Sequence, residues 1–229
     1  MTPTVGSCFA GLAGLDLGLE LAGFKILWQS EIVPYFNALL HKHHPDAEQV
    51  GDMREAMQFE PVDVIVGGFP CQDISTAGKR VGITGSRSGL WREMVRAIRM
   101  VRPLVVIVEN VAAILDRGLG RVLGDLAASG YDAEWDCLPA CAFGATHRRD
   151  RAFVVAYPQR EGLERQEFAV FPPSHTWQPV SLFGLSESDV LRTHHGLPNY
   201  VEQIVGLGNA VYVPQAQQIG SWVKEAMGW

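Results

Sequence analysis

Apolar runs of strand length alternate along this chain with stretches whose apolar positions recur at helical spacing. That alternation predicts a parallel α/β sheet wound with helices. Thr4–Phe9 reads as a first strand, Leu15–Leu21 as a helix stopped by Gly23, and Lys25–Gln29 as a second strand ending before Glu31. Pro34–His43 reads as a helix, with Pro34 near its start and Pro45 beyond its end. Val62–Val66 and Leu104–Val108 read as strands flanking a helix at Leu90–Val101, and Val111–Ser129 as one helix stopped by Gly130. Tyr131–Leu138 and Ala152–Tyr157 suit an antiparallel pair at the sheet edge. Periodicity then lapses over Pro158–Asn199, a proline-punctuated stretch, before a closing helix at Val211–Met227.

Composition narrows the class. With 229 residues and 47% hydrophobic content, the chain can bury one core of ordinary size. Four cysteines at irregular spacing do not make a secreted disulfide framework, so a reducing, cytoplasmic setting is expected. No second pair stands near Cys137 and Cys141, so no metal site is expected. The longest aliphatic run, Leu104–Val108, is far too short to span a membrane, and the start of the chain lacks the features of a signal peptide. Net charge is −6, yet Lys79–Arg102 carries seven basic residues against the single acid Glu93. Two readings of that run stand: a phosphate-binding patch, or a solvated helix face on which Arg92, Arg96 and Arg99 recur.

Candidate chemistry gathers at the predicted strand ends, where α/β sheets hold ligands. Cys71 follows Pro70 just beyond the Val62–Val66 run, and Gly67-Gly68 lets the chain turn and a ligand approach the backbone. Phe9-Ala-Gly-Leu-Ala-Gly14 after the first strand leaves backbone open to a cofactor. Glu31 is placed for ribose hydroxyls and Asp52, at a third strand position, for an adenine edge; together they favour an adenosine-containing cofactor. Glu109 ends the strand neighbouring the one before Cys71, where partial burial would raise its pKa. In Ala145-Thr-His-Arg-Arg-Asp-Arg-Ala152, Arg149 and Arg151 fall on one face of an extended segment, with Arg148 opposite.

The ordered set Phe9–Gly14, Glu31, Asp52, Gly68-Phe-Pro-Cys71-Gln, Glu109-Asn-Val, Arg149-Asp-Arg151 and Gly208-Asn-Ala-Val211 resembles the DNA cytosine-5 methyltransferase family, its compact bacterial and phage members above all. The resemblance covers residues 1–157 and about 196–229. It implies a Rossmann-like methyltransferase sheet over 1–157 and 200–229, with a small target-recognition region at 158–199. It also implies methyl transfer from S-adenosylmethionine, with S-adenosylhomocysteine as product and no metal, to carbon-5 of a flipped-out cytosine in double-stranded DNA.

In the implied mechanism Cys71 adds to carbon-6, Glu109 holds the ring N3 and exocyclic amine, Arg151 binds the base O2, and Arg149 supports the site. Phe9, Leu12, Gly14, Glu31, Asp52, Met53, Pro70, Leu90 and Asn209 would line the cofactor site. A loop at Gln72–Gly89 would close over the base, with Gln72, Ser75, Lys79, Arg80 and Arg87 meeting DNA. Arg160, Arg165, Trp177, Arg192, His194 and His195 are among the residues expected to read bases, and the shortness of their region suggests a short target or a specificity partner. A monomer in a bacterial or phage-infected cell is expected, with a restriction endonuclease as a further partner class.

Three positions depart from the family pattern. Ala13 stands where the turn has glycine, at a cost of about 1–2 kcal/mol if φ is positive there. His147 replaces a glutamine, and Ile32 an aromatic that stacks on adenine. Alternatives are an RNA cytosine-5 methyltransferase, whose transfer-RNA branch carries a Cys-Phe-Thr signature not found here, and a catalytically silent DNA-binding homologue. An NAD-dependent dehydrogenase would give Phe-Pro-Cys-Gln no role.

Overall fold

A computed structural model describes residues 2–69, 89–159, 169–171 and 209–229. Its centre is a seven-stranded sheet formed by β1 (Thr4–Cys8), β2 (Lys25–Ser30), β3 (Glu48–Gln49), β4 (Val64–Gly67), β5 (Val105–Val111), β6 (Tyr131–Pro139) and β7 (Asp150–Pro158), in the order β3-β2-β1-β4-β5-β7-β6. The first five strands are parallel, and β7 runs antiparallel to both neighbours. The strand order reverses between β1 and β4, which opens a crevice at their carboxyl ends. Cys8, Ser30, Gly67 and Val108 lie in register across the four central parallel strands. The residues just after them, Phe9, Glu31, Gly68 and Glu109, therefore ring one crevice.

Strands buried on both faces need apolar side chains at consecutive positions, and β5 supplies them. Val106 and Val108 join the core under α3 (Leu90–Val101) and α5 (Leu119–Ala127). Val105 and Ile107 join the core under α1 (Gly14–Leu21) and the C-terminal helix α6 (Val213–Met227). The two helices of that second layer approach closely. A Cβ on Gly18 would lie 2.4 Å from the Cβ of Ala216, and one on Gly220 would lie 2.8 Å from that of Ala22. Among the described residues the remaining α-helices are α2 (Pro34–His43) and the short α4 (Ile114–Arg117), with a 3-10 turn at Ala140–Phe143.

Several expectations need correction. β5 runs to Val111 rather than Val108, because β7 pairs with it past the end of β4; Glu109 is inside the strand. The helix expected over Val111–Ser129 is two helices interrupted at Gly118, since Val111 still pairs with Arg151. Asp52 lies beyond the two-residue strand β3. Val170 and Phe171, inside the region assigned to target recognition, belong to the second core layer, and Phe171 meets the Trp222 ring edge-on. Neither Gly67 nor Gly68 has a positive φ. Their lack of a side chain serves close packing instead: a Cβ on Gly67 would lie 2.9 Å from Cys8, and one on Gly68 would lie 2.7 Å from the Glu109 carboxylate.

Ala13 does adopt a left-handed backbone, φ 60°, at the start of α1. Glycine there would remove about 1–2 kcal/mol of strain while adding roughly 0.5–1 kcal/mol of unfolded-state entropy. Ala13→Gly is expected to raise stability by about 0.5–1 kcal/mol in urea unfolding. A loss of stability would show that the turn is not strained.

Candidate active site

The crevice begins with the loop after β1. Phe9, Gly11 and Ala13 all have positive φ, so the chain winds tightly as it leaves β1. A Cβ on Gly11 would come no nearer than 3.9 Å to another atom, and one on Gly51 would meet nothing within 4 Å, so the backbone is open on both sides of the mouth. The Glu31 carboxylate holds the first of them. It accepts from the Gly11 N–H at 2.9 Å and from the N–H groups of Ile32 and Val33. Its family-implied task of meeting a ribose is thus joined to a local one, the fixing of the glycine loop.

Asp52 is held by its neighbour Arg54, which keeps its carboxyl below the usual range. Met53 is fully buried under α3, and Leu90 opens that helix half-buried. Phe9, Leu12 and Gly14 are half-buried along the loop. Asn209 is exposed.

On the other side of the crevice, β5 and β7 bring a carboxylate to a guanidinium. Glu109 and Arg151 are 7% and 8% exposed, and Arg151 Nε lies 2.7 Å from Glu109 Oε1. The two atoms are close yet poorly aligned, and neither has a further hydrogen-bond partner. Burial drives the Glu109 pKa up to about 7, against the pull of Arg151 and then Arg149. The Glu109 carboxylate lies against the Gly68 backbone, and the Asn110 side-chain amide donates to the Phe69 carbonyl at 3.1 Å. The Phe69 ring packs on Trp91, 5.3 Å between centroids. The backbone two residues before Cys71 is thereby fastened to the carboxylate's own strand.

Arg149 does not sit in an extended segment as expected. It precedes β7 with φ 23°, and its Nη2 donates to the Ala210 carbonyl at 2.6 Å. That bond ties the Asn209-Ala210 segment to the site. Arg148 points away, 83% exposed, in an ion pair with Asp150. His147 meets the Tyr212 ring edge-on, 6.1 Å between centroids.

The basic run resolves as structural where it is described. Arg96 donates to the carbonyls of Met53 and Ala56 and pairs with Glu93. Arg99 donates to the Ser129 hydroxyl, and Arg102 to the Ser129 carbonyl. Arg96 in particular pins the loop carrying Asp52, a role that charge counting could not reveal. The sequence assigns no role to Asp16, an acid inside the first predicted helix. It is wholly buried beneath the glycine loop.

Pro70, Cys71, Gln72, Ser75, Lys79, Arg80 and Arg87 lie outside the described residues, as do Arg160, Arg165, Trp177, Arg192, His194 and His195. Among the described residues no His/Cys/Asp/Glu cluster could hold a metal, and no helix is long and apolar enough to cross a membrane. Cys8, Cys137 and Cys141 are free thiols.

The Glu109 pKa makes stability depend on pH. The folded chain holds this proton more tightly than the ordinary value of 4.5 would allow, so it binds more protons than the unfolded chain between that value and about 7. The contribution is full below the unfolded pKa and is lost as pH rises through the folded one. Relative to Glu109→Gln, the unmodified chain is expected to lose on the order of 2–3 kcal/mol between about pH 5 and pH 8, read by urea unfolding. Parallel pH curves for the two proteins would rule out the raised pKa.

Known proteins share both sequence and fold with this chain. The chain is 37% identical over 163 residues to the type II methyltransferase M.Eco47II of Escherichia coli, covering 67% of this chain and 39% of that one. It is 33% identical over 160 residues to M2.BsuMI of Bacillus subtilis, covering 66% and 41%. The chain thus spans about two fifths of the length of these relatives. In fold it is similar to an Escherichia coli prophage protein assigned as a DNA modification methyltransferase, with a TM-score of 0.60 at 22% identity over 81% of this chain and 56% of that one. It is also similar to the Dnmt2 methyltransferase of S. pombe, with a TM-score of 0.58 at 19% identity over 71% and 53%. The family model for C-5 cytosine-specific DNA methylases matches residues 4–193, and the chain belongs to that family.

Proposed function

We propose that this chain transfers a methyl group from S-adenosylmethionine to carbon-5 of a cytosine in double-stranded DNA. One observation carries the reading. A buried carboxylate and guanidinium, 2.7 Å apart with unspent hydrogen-bonding capacity, stand beside the strand that leads to Cys71. An apolar ligand would leave the donors and acceptors that this pair does not use on each other without partners, at a cost of about 1–3 kcal/mol. A cytosine edge satisfies them, since its amine donates while its O2 accepts.

The open backbone at Gly11 and Gly51, with Glu31 between them, suits a nucleoside. Phe9, Leu12, Gly14, Glu31, Asp52, Met53, Pro70, Leu90 and Asn209 would hold it. S-adenosylmethionine supplies an electrophilic methyl group when bound and leaves as S-adenosylhomocysteine.

The chain's own residues supply the rest. The Cys71 thiolate donates an electron pair to carbon-6 of the base, and the former ring double bond makes carbon-5 nucleophilic. Glu109, with a pKa near neutrality, can donate a proton to N3 and accept from the exocyclic amine, so the ring holds the added electrons. Arg151 binds O2. Arg149, through Ala210, keeps the returning C-terminal segment against the site. After methyl transfer a water molecule takes the carbon-5 proton, the C5–H electron pair reforms the ring double bond and the Cys71 sulfur departs with the electron pair of its bond to carbon-6. The base must first leave the helical stack, at a cost of a few kcal/mol.

Fluorine at carbon-5 cannot depart as a proton does. DNA containing 5-fluorocytosine is therefore expected to trap this chain covalently in the presence of S-adenosylmethionine, and Cys71→Ser to abolish both trapping and methylation. Trapping that survives the substitution would move the nucleophile elsewhere. Matched RNA substrates, if methylated faster, would replace DNA in this reading. Gly68→Ala would push the Glu109 carboxylate aside and is expected to lower kcat about 10–100-fold with the chain still folded. An unchanged kcat would show that the carboxylate's placement is not critical.

A further inference from the structure

Asp16 is the most deeply buried acid among the described residues, at 0% exposure. It stands in the first turn of α1, and its two oxygens are both engaged. Oδ1 accepts from the Ser7 hydroxyl on β1, and Oδ2 from the Gln29 side-chain amide on β2, each at 2.5 Å. Burial raises its pKa and the two hydrogen bonds oppose that rise. The bonding continues outward. The Gln49 amide on β3 donates to the Gln29 side-chain carbonyl at 3.1 Å. One chain of polar side chains thus runs from β1 through α1 to β2 and β3.

Each of those elements ends in a loop at the crevice. β1 leads to Phe9–Ala13, β2 to Glu31, and β3 to Gly51 and Asp52. Backbone bonds join the same loops at the surface: the Ala10 N–H donates to the Ser30 carbonyl, the Val50 N–H to the Gln29 carbonyl, and the Ser30 hydroxyl to the Gly51 carbonyl. The outer bonds set neighbouring loops in pairs. Asp16 binds two of the three strands at once from below and reaches the third through Gln29. A buried carboxylate is expensive, and an apolar residue in this turn would pack without that cost. What the carboxylate adds is a fixed spacing between strand ends.

We infer that Asp16 is a positioning residue for the methyl-donor site, setting the separation of its three loops through Ser7, Gln29 and Gln49. This rests on the S-adenosylmethionine reading above. Asp16 would touch neither the donor nor the base. Its loss would therefore weaken binding of the nucleoside cofactor while sparing the chemical step.

The full chain tests this by calorimetric titration with S-adenosylmethionine and with S-adenosylhomocysteine, beside steady-state kinetics on DNA. Asp16→Ala is expected to raise Kd for both, and KM for S-adenosylmethionine, by about tenfold or more. Saturated kcat and KM for DNA should stay within about threefold of the unmodified chain. Gln29→Leu, which cuts the chain at its middle, should repeat the pattern and serves if Asp16→Ala does not fold. Val122→Ala, in the opposite core layer, controls for general loss of stability. Unchanged cofactor Kd, a kcat that falls as far as KM rises, or an equal rise in Kd for Val122→Ala each overturns the inference. If the unmodified chain itself bound neither cofactor form, the S-adenosylmethionine reading would fail first, and visibly so.

Discussion

The rest of the site depends on a carboxylate kept short of water. Glu109 can stay charged inside the protein only because Arg151 stands against it, and Arg151 can be buried only for the same reason. Their strands must then lie side by side and reach past β4, and Gly68 must give up a side chain to leave room. The pair is nevertheless poorly aligned. Good alignment would satisfy both groups and leave less for a substrate to gain. The proton affinity near neutrality follows from the same compromise between burial and the two arginines.

Around that pair the two halves of the crevice are held by different means. The side bearing Phe9, Glu31 and Asp52 is fixed by hydrogen bonds between loops and by Arg96 reaching over from α3. The side bearing Glu109 is fixed by strand pairing and by Phe69 wedged on Trp91. Loops carry few apolar contacts, so polar anchoring is the means open to the first side. The second inherits its rigidity from the sheet.

Much of this was legible in the chain before any coordinates. α2 and α3 have the bounds that their proline punctuation and helical spacing predict. Alternation along β5 and β7 places Glu109 and Arg151 on the same sheet face as Ile107 and Phe153, a matter of counting by twos. The Ala13 turn was flagged by the family resemblance, which has glycine at that position. What stayed hidden depends on partners distant in sequence. β5 extends because β7 pairs with it, and no local signal in β5 says so. Arg96, Arg99 and Arg102 look like a phosphate patch until the carbonyls and hydroxyl they hold are seen. Asp16 reads as a polar interruption because Ser7 and Gln29 are strangers to it in the chain. Gly18 and Gly220 matter only once α1 meets α6.

The reversed direction of β7 carries a further consequence, one of travel. Its amino end stands at the crevice, where Arg151 works, so its carboxyl end at Pro158 exits beside Tyr131, the far rim of the sheet. Its nine residues are separated by steps of about 3.4 Å, which puts the first and last roughly 27 Å apart. Yet Ala210 is back against Arg149 at the near rim. Between those two rims, Val170 and Phe171 donate their backbone N–H groups to the Glu134 carboxylate halfway along β6. Two residues of the stretch that looks in the sequence like a recognition module are therefore built into the core of the sheet domain, anchored on β6 and on the C-terminal helix.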